Sequence, residues 1–455
     1  MAPAHQHAGY APNLESFLHT KQPLEASIET AVALFKRRQI RGPEPCALAT
    51  AHVLSQVVAK SKWTDVDQLL DRVYQVGRKL VDAQPQELVV GNIVRRVLGL
   101  IRDEAEEDRN EAGNNDLGAS VPDLRTAATT ATASFTSSFP SSSGVPALTS
   151  SPSFTALSRT ARQPSLVAAG SFQSMFSLLS AAVDMSSVSG SGDVSTTVSG
   201  ASTPIHAGPG QSVAAGPLGR VRALRDEILD GIEEIKDEIG QADDQIAGFA
   251  EGQIRPGDYV MVYEPSRTVE KFLIKAAARR RYTLLLVSAR AASSTDASPY
   301  APLLKRLAAA KVGVIQVASS AATAYLPRVN RVVLDARAIA ANGGVLASSG
   351  GGRIARAAHA QGRTVLVVGG VYKLSPELWT DPEAFIEWGD PGRLVLFADG
   401  GMLDGIDVES AVTEYVPPNL IDIYVTNLGP HSKDYLETVI ADHYKNEDLE
   451  LYRQG

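Results

Sequence analysis

From residue 251 onward, short β-branched runs alternate with helical stretches, and that alternation leaves few architectures open. The runs "YVMVYE", "TLLLVSA", "GVIQVAS", "RVVLDA", "TVLVVGG" and "IDIYVTN" read as strands, while "RTVEKFLIKAAARRR" and "YAPLLKRLAAAK" between the first of them read as helices. Strand and helix in turn at this spacing predict a parallel sheet with helices on its faces. The expected fold class is α/β, a Rossmann-like parallel-sheet domain over residues 251–455.

Upstream the pattern is helical. In "DVDQLLDRVYQVGRKLVDA" Val66, Leu69, Leu70, Val73, Val76 and Leu80 recur at steps of three and four, as one apolar stripe. "PQELVVGNIVRRVLGLIRDE" repeats this through Leu88, Val94, Val97, Leu98 and Ile101, with Pro85 suited to a first helical position. Residues 1–112 are therefore expected to form a bundle of about three to five helices. Val221, Leu224, Ile228, Ile232, Ile235, Ile239 and Ile246 predict one long amphipathic helix within 216–250, linking the bundle to the sheet.

Between them, residues 113–215 are rich in Ser, Ala and Thr and hold no Lys, Tyr or Trp. Such a segment buries too little apolar surface to offset its ordering entropy, so it reads as a disordered insert with one short helical stretch at "FQSMFSLLSAA".

Composition narrows the function classes. A net charge of −8 argues against nucleic acid as a direct partner. A single cysteine, Cys46, excludes an internal disulfide and a cysteine-cluster metal site. The opening "MAPAHQHAGYAPNLESF" lacks the basic and apolar regions of a secretory signal, and there is no apolar run of about 18 residues, so a soluble cytosolic protein without a membrane partner is expected.

The most suggestive chemistry lies in "AANGGVLASSGGGRIARAAHAQG", residues 340–362, where glycines precede a helical run. Such turns often cradle phosphate. Here, however, Gly350–Gly352 lead to Arg353 and Ile354, without the lysine of a phosphate loop. The first strand, where a dinucleotide fingerprint belongs, ends in "YEPSRTVEKF" without glycine. The expected role is a tight strand-to-helix connection. Asp335 ends a strand, where either a catalytic acid or a turn residue fits, and His359 reads as a surface or packing residue. The eight histidines show no metal-ligand spacing, so no metal or cofactor is expected. Asn92, Arg95 and Arg96 flank the apolar stripe of their helix and read as a solvated face or, more sharply, as a partner surface.

"VNRVVLDARAIAANGGVLASSGGGRIARAAHAQGRTVLVVGGVYKLSP" and "YVPPNLIDIYVTNLG" together resemble the C-terminal domain shared by two groups. One is the alpha, beta and delta regulatory subunits of translation initiation factor 2B. The other is the sugar-phosphate isomerases acting on methylthioribose 1-phosphate or ribose 1,5-bisphosphate. "SRTVEKFLIKAA", "AQPQELVVGNIVRRVLGLIR" and "VYKLSP" are similar to the beta branch in particular, and the resemblance spans roughly residues 14–110 and 216–455.

The resemblance implies that the isomerases' proton-transferring Asp is matched by Arg337, with Asp335 two residues earlier. Along a strand that shift is about 6–7 Å, too far for the same transfer. The catalytic Cys position falls near Glu264, and an Asn-Lys pair is replaced near Ala347 and Ser348. Asn342 and Gly343 remain as a turn, so Glu264, Arg337, Asn342 and Gly343 would mark a degenerate isomerase pocket. The implied function is a non-catalytic subunit of a guanine-nucleotide exchange complex. It would pair with a delta subunit, assemble with alpha, gamma and epsilon subunits, and contact the alpha subunit of initiation factor 2 through Asn92, Arg95 and Arg96. An active isomerase, or an inactive sugar-phosphate-binding module, is the alternative.

Overall fold

The computed structural model describes residues 12–117, 217–288, 299–379, 381–395 and 405–451. Residues 113–117 of the expected insert continue the helix that precedes it, and the rest of it, with its short helical stretch, lies outside the described residues. Five helices open the chain: α1 (Pro12–His19), α2 (Leu24–Lys36), α3 (Pro43–Lys60), α4 (Val66–Ala83) and α5 (Val89–Leu117). Asp65 caps α4 by accepting the Val66 N–H at 2.8 Å, and the stripe from Leu69 to Leu80 faces the core as its spacing requires. At Gly77 the helices come so close that a Cβ would lie 2.5 Å from Val94 of α5. The expectation for Pro85 is corrected: it lies in a turn, and α5 begins at Val89.

Helix α6 (Pro217–Gly248) spans two cores. Leu224, Ile228, Ile232, Ile235 and Ile239 complete the helical core, whereas Ile246 packs under the sheet. The isoleucine stripe thus ties the bundle to the α/β region.

The sheet contains β1 (Tyr259–Tyr263), β2 (Thr283–Ser288), β3 (Gly313–Ala318), β4 (Arg331–Asp335), β7 (Thr364–Val368), β10 (Ile423–Thr426) and β11 (Gly429–His431). Its order is β11-β10-β7-β4-β1-β2-β3, parallel throughout except at β11. Counted in chain order, the parallel strands run 3-2-1-4-5-6, the doubly wound arrangement. Helices α7 (Arg267–Arg279) and α8 (Ala301–Ala309) cover one face, and α9 (Gly351–Ala360) and α10 (Lys433–His443) cover the other. Both faces are buried in every parallel strand except the edge strand β3, which is why the inner strands read as continuous apolar runs.

A second sheet, not anticipated from sequence, orders β8 (Leu374–Ser375), β5 (Ala338–Ala340), β6 (Val345–Ser348) and β9 (Thr413–Val416). Its strands are two to four residues long. Beyond α10 the chain turns back, and Leu451 is buried in the helical core. The helical and α/β regions form one compact unit.

Candidate functional site

In a sheet wound this way, ligands enter outside the strand ends where the order reverses, here between β1 and β4. Glu264 follows β1 with φ of 40°, and its N–H bonds Val287 O at 3.1 Å. Asp335 closes β4. Its carboxylate lies 3.6 Å from Lys373 Nζ, and that buried lysine donates to Ala336 O at 2.8 Å. Asp335 is thus the counter-ion of a buried ammonium.

Two residues on, Arg337 turns toward the helical region. It donates to Glu387 at 2.6 Å and to Glu87 at 3.0 Å, while Glu387 also pairs with Arg38 and Glu87 accepts the Gly42 N–H at 3.1 Å. Four alternating charges fill the cleft. Burial raises the Glu87 carboxyl, and the Arg337 guanidinium opposes that rise. The cavity left beside them has a volume of about 10 Å³, no more than one water molecule needs. Leu88, Ala338, Leu346 and Phe385 help to line it; Glu264, Asn342 and Gly343 do not. Of the four expected pocket residues, only Arg337 lines this cavity. Cys46 is fully buried nearby, and burial pushes its thiol well above its ordinary value, away from a reactive thiolate.

The glycine-rich segment serves the backbone. Gly343, at φ 83°, turns the β5–β6 hairpin; Asn342 accepts the Gly344 N–H at 2.8 Å, and Tyr424 donates to Gly343 O at 2.5 Å. The first glycines thus make a hairpin, and only Gly350–Gly352 make the expected connection into a helix. Gly350, at φ 105°, is the N-cap of α9. The N–H of Gly352, which would meet a phosphate, donates to the Glu414 carboxylate instead. A carboxylate of this chain holds the anion's place at the helix start. His359 is exposed on the last turn of α9, a surface residue.

The expectation of a solvated face on α5 is corrected. Asn92 is 0% exposed and Arg95 3%. Asn92 donates to Tyr372 O at 3.2 Å, and Arg95 reaches Leu449 O at 3.1 Å and the Glu377 carboxylate. Arg96 pairs with Glu238 of α6 at 2.6 Å. Burial works to raise the Glu238 carboxyl, but Arg96, helped by His443 and the Asn427 amide, holds the group below its ordinary value. From Val89 to Ile101 every residue but Arg96 is buried, because the bundle packs on one side of α5 and the α/β region and chain end on the other. The polar residues beside the stripe are internal ties.

Glu87, Glu387, Lys373 and Glu414, which organise the site, carried no local spacing signal. Among the described residues no group of three or more His, Cys, Asp or Glu side chains is placed to hold a metal, and no helix is long and apolar enough to cross a membrane.

Comparison with known proteins decides the family. The profile of the initiation factor 2 subunit family matches residues 39–432. The chain belongs to the initiation factor 2 subunit family. Within it, the chain is 30% identical to translation initiation factor eIF2B subunit beta of Schizosaccharomyces pombe, covering 93% of this chain and 97% of that one. The corresponding protein of Dictyostelium discoideum is 26% identical, over 92% of this chain and 96% of that one. Among solved structures, eIF2B beta from Chaetomium thermophilum matches with a TM-score of 0.61 and 37% identity over 96% of both chains. A chain of the tetrameric eIF2B-beta2-delta2 complex from the same organism matches with a TM-score of 0.60 and 37% identity, over 96% of this chain and 100% of that one. Membership of the initiation factor 2 subunit family agrees with the resemblance read from the sequence, and the α/β fold with its helical N-terminal region is the fold expected.

Proposed function

We propose that this chain is a non-catalytic, beta-type regulatory subunit of the translation initiation factor 2B guanine-nucleotide exchange complex, acting in the cytosol. It pairs with a delta-type subunit through its α/β region and joins alpha, gamma and epsilon subunits. Its helical region helps to bind the alpha subunit of initiation factor 2 and so to sense that subunit's phosphorylation in the integrated stress response. The observation that carries this reading is the likeness, at 37% identity over 96% of the chain, to a member of a beta2-delta2 assembly.

The crevice supports the non-enzymatic half of the reading. Arg337, matched by the resemblance to the isomerases' Asp, is neutralised by two carboxylates, and the cavity that it lines, about 10 Å³, has no room for a sugar phosphate. Because Asn92, Arg95 and Arg96 are committed within the chain, their part in partner binding is to hold α5 in place under the surface that makes contact.

Native mass spectrometry tests the pairing. A one-to-one pair formed on co-expression with a delta subunit, growing when an alpha subunit is added, is the expected result. A stable homodimer that ignores delta would overturn it. Incubation with methylthioribose 1-phosphate and ribose 1,5-bisphosphate should give no ketose product, and turnover would return the chain to the isomerases.

A further inference from the structure

The last described residues run from the α/β region onto the helical bundle, in a groove between α4 and α5. Tyr444, at the end of α10, stays with the α/β region by donating to Leu374 O at 2.6 Å. Seven residues later the side chain of Leu451 is in the helical core. The path between them is held at each step.

On α5 the groove is lined by Gly91, Arg95, Gly99 and Arg102, spaced four, four and three residues apart and therefore on one helix face. A Cβ at Gly91 would lie 3.6 Å from Leu451 Cδ1, and one at Gly99 would lie 3.6 Å from Lys445 Cγ, so the small residues form the floor on which the tail rests. On α4, Tyr74 and Arg78 share a face at i and i+4.

The tail presents acid to this arginine-lined groove. Asp448 is 0% exposed; Arg102 donates to it at 3.0 Å, and the Tyr74 hydroxyl donates to the same carboxylate. Burial and the bond to Asp448 push the Tyr74 hydroxyl up to about 12, so it remains a donor. Arg102 also meets Glu447 at 2.9 Å, and Lys445 pairs with Asp103 at 2.6 Å. The main chain is held in the same way: Arg95 donates to Leu449 O at 3.1 Å and Arg78 to Leu451 O at 2.6 Å. These carbonyls thus meet arginine side chains instead of a β-ladder.

We infer that residues 445–451 are a latch that fixes the α4–α5 pair against the α/β region, with Asp448 as its catch and Leu451 as its apolar anchor. Released, the latch frees the α4–α5 groove while the sheet keeps its own core. The helical region's hold on the rest of the chain is then set at the C-terminal tail as well as along α6 and at the Arg337–Glu87 and Asn92–Tyr372 contacts.

Hydrogen–deuterium exchange on the full-length chain tests this with Asp448→Ala and Leu451→Ala. The latch requires exchange in residues 66–83 and 89–110 to quicken by about tenfold or more, while β1, β2, β4 and β7 stay within about twofold of the parent. Leu451→Ala unpairs no charge and leaves the Arg78 bond to the main chain. It gives the same readout if Asp448→Ala does not accumulate as folded protein. Exchange that rises equally in the sheet, or does not rise in α4 and α5, would overturn the inference.

Discussion

Arg337 and Glu87 are separated by 250 residues in sequence and by 3.0 Å in the fold. The arginine heads the small sheet and the glutamate lies in the turn before α5, so this contact joins the two regions across the crevice. Glu87 is 5% exposed, which gives the pair a consequence that surface pairs lack.

Removing Arg337 strands a buried carboxylate. Arg337→Ala is expected to cost about 3 kcal/mol, the lower end for breaking a buried pair, because Gly42 still donates to Glu87 and Arg38 still faces Glu387. Arg337→Lys should recover only part of this, since a single ammonium cannot span both carboxylates as the guanidinium fork does. Urea denaturation at pH 7 measures both; a loss below about 0.5 kcal/mol for Arg337→Ala would deny the quartet its structural role.

The legibility of each element depended on how local its signal is. The inner parallel strands were readable because burial on both faces writes them as apolar runs, the edge strand β3 through its β-branched Val314, Ile315 and Val317, and the isoleucine ladder of α6 at helical spacing. Strands β5, β6 and β8 were not, because two to four residues carry no period and their pairing is set by tertiary contact. The same limit governed the site. Gly350 declared a turn, but Glu414, which fills the helix start behind it, lies 62 residues from Gly352. Arg96 read as solvated because its partner Glu238 is 142 residues away on a helix beyond the insert.

Glu104 on α5 is partly buried, and its carboxyl is raised first by burial and then by Glu227, Glu107, Asp103 and Glu234. With a folded value above the unfolded 4.5, its charge opposes folding at neutral pH, and the penalty fades as pH falls through the raised folded value and is gone below 4.5. Glu104→Gln should therefore stabilise the chain at pH 7 by about 0.5 kcal/mol after solvent screening. The gain should shrink in high salt and vanish near pH 4. A gain unchanged at low pH would assign it to something other than charge.

His443 is held below its ordinary 6.5 by burial and then by Arg96, with its Nδ1 2.7 Å from Val439 O. Burial lowers His431 and His52 as well. A depressed folded value means that the unfolded chain takes up the proton first. Stability is then full above pH 6.5 and declines as pH falls through the window beneath it. Urea midpoints taken from pH 7.5 to pH 5 should show that decline, and His443→Gln should flatten it. Identical slopes for parent and variant would remove His443 from the account.

Two glycines separate backbone strain from crowding. Gly362 has φ of 63° with nothing within 4 Å of an added Cβ, so Gly362→Ala meets only the left-handed backbone and should cost about 1 kcal/mol. Gly350 has φ of 105° and would place its Cβ 2.6 Å from Tyr263 Cζ, at the start of α9 where the ring is packed under the glycine. Gly350→Ala adds overpacking to strain, about 3 kcal/mol in total. Thermal unfolding of the two variants side by side gives the difference that belongs to the ring. If they cost the same, Tyr263 yields freely, and the glycine at 350 is there for its backbone angle alone.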